Sequence, residues 1–131
     1  MPERGIVIVG AGEAGARVAL ELRERGWNGA VTLIGKEKRA PYERPPLSKE
    51  ALTAEEAPPV KTIVTRERLR EKEIGFIEGC AAERIDRERR VVRLADGREI
   101  FYEKLVLATG AKPRRLASDA YDTSSFLYLR T

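Results

Sequence analysis

Gly10, Gly12 and Gly15 stand in the spacing G-x-G-x-x-G, immediately after the apolar run Ile6-Val7-Ile8-Val9. In that order the three glycines suit a dinucleotide site. The first permits a tight turn, the second lets backbone approach a pyrophosphate, and the third lets a helix pack closely on a strand. The first N–H groups of that helix, and its dipole, would then face the phosphates. Glu37, just past the next apolar run, is an acidic side chain where ribose hydroxyls need an acceptor. Lys36, Lys38 and Arg39 surround it. Cations there either favour a 2′-phosphate or form a solvated surface run. A glycine-rich turn also serves ordinary βαβ packing, so the flanking elements must decide.

Absences narrow the chemistry. The 131 residues contain no histidine, which removes Ser-His-Asp and Cys-His catalysis and histidine metal ligation from this chain. Cys80 is the single cysteine, so it forms neither a C-x-x-C pair nor an intrachain disulfide. Small neighbours (Gly79, Ala81, Ala82) suit a buried position at a strand end; the other reading, a reactive thiol, lacks an evident basic partner. If the chain takes part in chemistry, a cofactor performs it.

Composition sets the frame. Hydrophobic residues make up 42% and charged residues 35%, enough for one domain with a core and a charged surface. The net charge is +4, yet acids and bases interleave. No basic stripe carries neighbouring aromatics, so the pattern does not point to nucleic acid. A diffuse positive field suits an anionic cofactor or an acidic protein partner. No run approaches the ~18 apolar residues that cross a bilayer, so no membrane role is expected. The first strand begins a few residues after Met1, short for a signal peptide, and with one cysteine this points to the cytoplasm.

Around the motif the elements read as follows. Gly5–Val9 predicts a strand covered on both faces. Ala14, Val18 and Leu22 fall at helical spacing, in a helix that Gly26 ends, and a second strand spans Ala30–Ile34. The segment 40–50 is rich in proline and reads as a fixed loop holding Arg44 and Lys49. Ser48 is a candidate cap for a short helix there, and 54–59 reads as an acidic connection. Thr65–Lys72 predicts a helix, with Gly75 ending the turn before a strand at Phe76-Ile77. Val91–Leu94 and Glu99–Tyr102, joined through Asp96-Gly97, predict a β-hairpin. Leu105–Ala108 predicts another buried strand. Thr109-Gly110 then either border the same cofactor or merely turn the chain. The expected fold class is α/β: a Rossmann-like parallel sheet with a βαβ dinucleotide-binding unit and an antiparallel β-hairpin layer.

Together these segments resemble the amino-terminal part of an FAD-dependent pyridine nucleotide reductase, of the putidaredoxin and rubredoxin reductase-like ferredoxin reductase branch. Four pieces carry the resemblance: residues 9–15, Pro41-Tyr42-Glu43-Arg44-Pro45-Pro46-Leu47-Ser48-Lys49, Ala95-Asp96-Gly97, and residues 105–111. The proline-rich piece is the most specific. The tail 128–131 is similar to the segment that leads into the family's NAD-binding domain. Position by position, the resemblance implies that Gly10, Gly12, Glu13, Ala14 and Gly15 line the FAD pyrophosphate and that Glu37 holds the adenosine ribose. It implies cofactor contacts for Arg44 and Lys49, with the lysine beside the flavin as a catalytic cation that stabilises the anionic reduced ring. Ala82 matches a backbone that approaches adenine, and Ala108, Thr109 and Gly110 match a second cofactor-touching turn.

The implied whole is an enzyme in which NAD(P)H reduces FAD, and electrons then pass to a ferredoxin-type iron–sulfur protein. Residues 1–131 would be the amino-terminal part of its FAD-binding domain. The NAD(P)H-binding domain, the returning segment and the interface domain lie outside them. An exposed sheet edge would favour oligomerisation. Two other functions fit the same residues: a non-catalytic adenine-dinucleotide-binding module, and a flavin oxidoreductase with another acceptor.

Overall fold

The computed structural model describes residues 4–43, 61–112 and Arg114. Its elements run β1 (Gly5–Val9), α1 (Glu13–Glu24), β2 (Val31–Ile34), α2 (Arg66–Glu71), β3 (Ile74–Ile77), β4 (Ala82–Asp86), β5 (Val91–Leu94) and β6 (Glu99–Leu107). They form one six-stranded sheet in the order β3-β2-β1-β6-β5-β4. The β3-β2-β1-β6 half is parallel, and β6-β5-β4 is an antiparallel meander. This is the expected α/β class. The short helix at Ser48, the acidic connection, Arg44, Lys49 and the tail lie outside the described residues.

β1 alternates between two cores. Ile6 and Ile8 pack with Ala16 and Ala19 of α1 and Leu69 of α2. Val7 and Val9 face the other way, onto Val92 and Leu94 of the meander, with Ile34 and Tyr102. All five β1 residues are buried, as a strand covered on both faces requires. The hairpin therefore does form an antiparallel layer against the parallel sheet.

The helix buries a different strip from the one its apolar spacing suggested. Gly15, Ala16 and Ala19 are buried, Val18 and Leu22 are half-buried, and Ala14 is exposed. Small side chains let the helix axis come close to β1, and the larger ones are pushed to the flanks. The helix ends as expected at Gly26, whose φ is +86°. The Gly26 N–H donates to the Arg23 carbonyl and the Trp27 N–H to Leu22, the paired bonds of a Schellman cap.

Two expectations of strand boundaries change. β6 is one strand rather than two: its first residues pair antiparallel with β5, and its later ones run parallel to β1. Its carboxyl end is only partly covered, with Leu107 60% exposed. Gly75 lies inside β3, opposite Thr32, and Glu73 at φ +55° makes the turn instead. Thr65 is the cap of α2, accepting from the Arg68 N–H at 3.1 Å, and Lys72 closes the helix. β4 carries mostly polar side chains with little alternation, which hid it from hydrophobic patterning.

Arg23 joins the two helical connections. Its guanidinium donates to the carbonyls of Trp27 (2.6 Å), Gly29 (2.8 Å), Lys72 (2.9 Å) and Glu73 (2.9 Å). A planar fork serves four acceptors that a single ammonium cannot reach together. Arg23→Met should lower unfolding free energy by about 1.5–3 kcal/mol, and Arg23→Lys should restore only part of it. Urea unfolding of the three proteins checks this; coincident midpoints would show the network to be dispensable.

Candidate functional site

All four parallel strands end at one edge of the sheet. The chain passes from β1 to β2 on one side and reaches β6 on the other, so β1 sits at the topological switch point. A cleft of about 480 Å³ opens there, within the usual range for small-molecule sites. Four segments line it: Val9–Ala14, Ile34–Ala40 apart from Lys38, Cys80–Ala82, and Ala108–Lys112 apart from Ala111, together with Tyr42.

The three glycines have separable roles. Gly10 has φ +110°, and a Cβ on it would overlap the Ala108 carbonyl. A Cβ on Gly15 would overlap the Gly10 carbonyl. Those two glycines hold β1, α1 and the end of β6 together. Gly12 is different. Its backbone is extended, and nothing lies within 4 Å of where a Cβ would stand. The space is on the cleft, so a side chain there would fill the floor and displace a ligand. As the residue before α1, Gly12 also leaves the helix without a side-chain cap. The first-turn N–H groups therefore meet the cleft unopposed, as an anion requires.

Glu37 stands past the end of β2 and lines the same cleft. The neighbouring connection fixes its backbone. The Gly79 N–H donates to the Glu37 carbonyl (3.1 Å), and the Cys80 N–H donates to Gly35 (3.2 Å). One residue earlier, Glu78 accepts a two-pronged contact from Arg66 at 2.8 and 2.9 Å. That guanidinium holds the exposed Glu78 carboxyl below its ordinary range. The cleft wall next to Glu37 is made of the small side chains of Cys80, Ala81 and Ala82. Cys80 is half-buried at this wall rather than enclosed at a strand end.

Of the sequence candidates, Gly10, Gly12, Glu13, Ala14, Glu37, Ala82, Ala108, Thr109 and Gly110 converge on this one cleft. Gly15 supports it from beneath. Arg44 and Lys49 lie outside the described residues. The cation run splits: Lys36 and Arg39 line the cleft, whereas Lys38 lies against Gly79. With Lys112 they set three cations against Glu13 and Glu37, a field that favours an anionic ligand. Tyr42 and Lys112 were not among the sequence candidates. Their contribution depends on loop paths that no periodicity encodes.

The arrangement fits an adenine dinucleotide: an open glycine floor at a helix start, a carboxylate beyond β2, and a wall of small side chains. The family description for pyridine nucleotide-disulphide oxidoreductases matches residues 4–131. The chain belongs to this family. It is 47% identical over 126 residues to the ferredoxin–NAD(+) reductase component of the p-cumate 2,3-dioxygenase system of Pseudomonas putida, covering 96% of this chain and 31% of that protein. It is 42% identical over 126 residues to a rubredoxin–NAD(+) reductase of the same species, covering 96% of this chain and 33% of the relative. The crystal structure of the covalent putidaredoxin reductase–putidaredoxin complex superposes with a TM-score of 0.84 at 36% identity. That match covers the whole of this chain and 32% of the other. The chain thus spans about a third of the length of these relatives. Among the described residues no helix is long and apolar enough to cross a membrane.

The glycine geometry makes a differential prediction. Gly12→Val should keep the wild-type melting temperature but weaken ADP binding at least about tenfold, because the isopropyl group occupies the phosphate floor. Gly10→Val and Gly15→Val should instead destabilise the fold, by overlap with backbone. Differential scanning fluorimetry with calorimetric ADP titration separates the two. Unchanged ADP affinity in Gly12→Val would remove the phosphate assignment.

Proposed function

We propose that this chain is the FAD-binding portion of an NAD(P)H-dependent flavoprotein reductase. The complete enzyme passes electrons from NAD(P)H through FAD to a ferredoxin-type iron–sulfur protein in the cytoplasm. One observation carries the reading. A single cleft at the switch point gathers the open Gly12 floor, the Glu37 carboxylate and the Ala108–Gly110 turn, in a chain of this oxidoreductase family. The relatives' names, which pair NAD(+) with ferredoxin or rubredoxin, support the donor and the kind of acceptor.

FAD, when bound, supplies hydride uptake from a nicotinamide and release of electrons one at a time. The residues of this chain hold it. The N–H groups at Glu13 and Ala14 bind the pyrophosphate, and Gly12 lets it approach. Glu37 would accept from the adenosine ribose, and the Ala82 backbone would lie against adenine. Lys36, Arg39 and Lys112 attract the anion. Arg44 and Lys49, which lie outside the described residues, would contact the remainder of the cofactor, where a Lys49 ammonium would favour negative charge on the ring. The absence of a second cysteine accords with transfer to an external iron–sulfur acceptor, since no dithiol is available in these residues.

Chain incubated with FAD and then desalted should retain stoichiometric flavin absorbance. Loss of the flavin together with undetectable ADP binding would overturn the proposal. Lys49→Ala should leave ADP affinity nearly unchanged while shifting the visible spectrum of bound FAD. Equal loss of ADP and FAD binding would make Lys49 a structural residue.

A further inference from the structure

Glu37 is held from behind by a side chain that has no part in the glycine motif. The Tyr42 hydroxyl donates to Glu37 Oε2 at 2.8 Å. Tyr42 is itself only 6% exposed, beside the fully buried Pro41. Its backbone is pinned by a bridge to Thr62, flanked by hydrogen bonds from the Glu43 N–H to Lys61 and from the Ile63 N–H to Pro41, both 2.7 Å. The Arg39 guanidinium lies 5.8 Å from the ring centroid, on the cleft side. A buried, backbone-anchored phenol therefore holds one oxygen of the Glu37 carboxylate at the cleft wall.

We propose that Tyr42 is a positioning residue for ribose recognition: it holds the Glu37 carboxylate in the orientation that accepts a 2′-hydroxyl. The inference rests on the reading of the cleft as a dinucleotide site. A glutamate side chain has three rotatable bonds, and a ligand that must order them weakens its own binding. A carboxylate offers about four acceptor positions, so the phenol contact does not consume its capacity for a ribose hydroxyl. The bridge at Tyr42 and Thr62 makes the support rigid, because the phenol cannot follow a drifting carboxylate. Phenylalanine at this position would keep the ring against Arg39 and remove the oxygen alone.

Calorimetric titration of the chain with ADP and with 2′-deoxy-ADP tests this. Wild type should prefer ADP by about tenfold, the worth of one hydrogen bond to a charged group. Tyr42→Phe should weaken ADP but not 2′-deoxy-ADP, cutting that preference to about threefold or less at an unchanged melting temperature. In the Glu37→Gln background, adding Tyr42→Phe should change nothing further, as coupled residues require. Equal weakening of both nucleotides, or full discrimination retained in Tyr42→Phe while Glu37→Gln abolishes it, overturns the positioning role and leaves the site intact. A wild-type chain that binds both nucleotides equally overturns the ribose assignment of Glu37 and the role of Tyr42 with it.

Discussion

Around Gly10 three backbone segments meet with no room for a side chain. The Gly10 carbonyl lies where a Cβ of Gly15 would be, and the Ala108 carbonyl lies where a Cβ of Gly10 would be. This clearance brings the start of α1 over the end of β1 and sets the end of β6 beside both. The contacts are locked by backbone hydrogen bonds from the Gly10 N–H to Ile34 and from the Ala108 N–H to Val9, each 2.8 Å. The cleft is the consequence. With the backbones so close, the first helical turn faces outward over the sheet edge, and Gly12 leaves the space above it open. Stability and ligand access thus draw on neighbouring glycines for opposite reasons.

The second constraint is the double burial of β1. One face of the strand is covered by helices and the other by the meander, so the sheet must change from parallel to antiparallel pairing within one strand. β6 does this, with a register irregularity opposite Gly5 and Ile6. The β3–β4 connection reaches the cleft as well, where Gly79 and Cys80 bond to the loop bearing Glu37. The Glu37 end of the cleft is therefore built by contacts between segments about 40 residues apart, a separation of the same order as those that make β folding slow.

Charge has a smaller part in the fold than its abundance suggests. Among the described residues no polar or charged side chain is buried, and no buried side-chain polar atom lacks a partner. The ion pairs Arg25–Glu21, Arg68–Glu71 and Arg89–Glu99 are largely exposed. Pairs of this kind contribute little each, because solvent screens them. Two arginines depart from the pattern by geometry: Arg23, which gathers four carbonyls, and Arg66, which grips Glu78 beside the cleft wall. The rest of the positive charge serves the surface, and Lys36, Arg39 and Lys112 bring some of it to the site.

Local chemistry made much of this legible in advance. A β-branched run followed by spaced glycines specifies a strand, a turn and a close-packed helix, because each demand falls on neighbouring residues. Gly26 and Asp96-Gly97 ended a helix and closed a hairpin for the same reason. Glu37 was legible from its distance past a strand. Three things depended on the tertiary structure. Apolar spacing pointed to Ala14, Val18 and Leu22, yet the distance between α1 and β1 decided that Gly15, Ala16 and Ala19 are the buried strip. The continuity of β6 followed from having β1 on one side and β5 on the other, which no local run of residues reveals. Tyr42 reads in sequence as one residue of a proline-rich loop; only the bridge to Thr62 brings its hydroxyl to Glu37. Sequence alone determined the turn chemistry and the open glycine floor, since those are properties of adjacent backbone. Tertiary structure decided which side chains enclose that floor, since enclosure requires segments distant in the chain to meet.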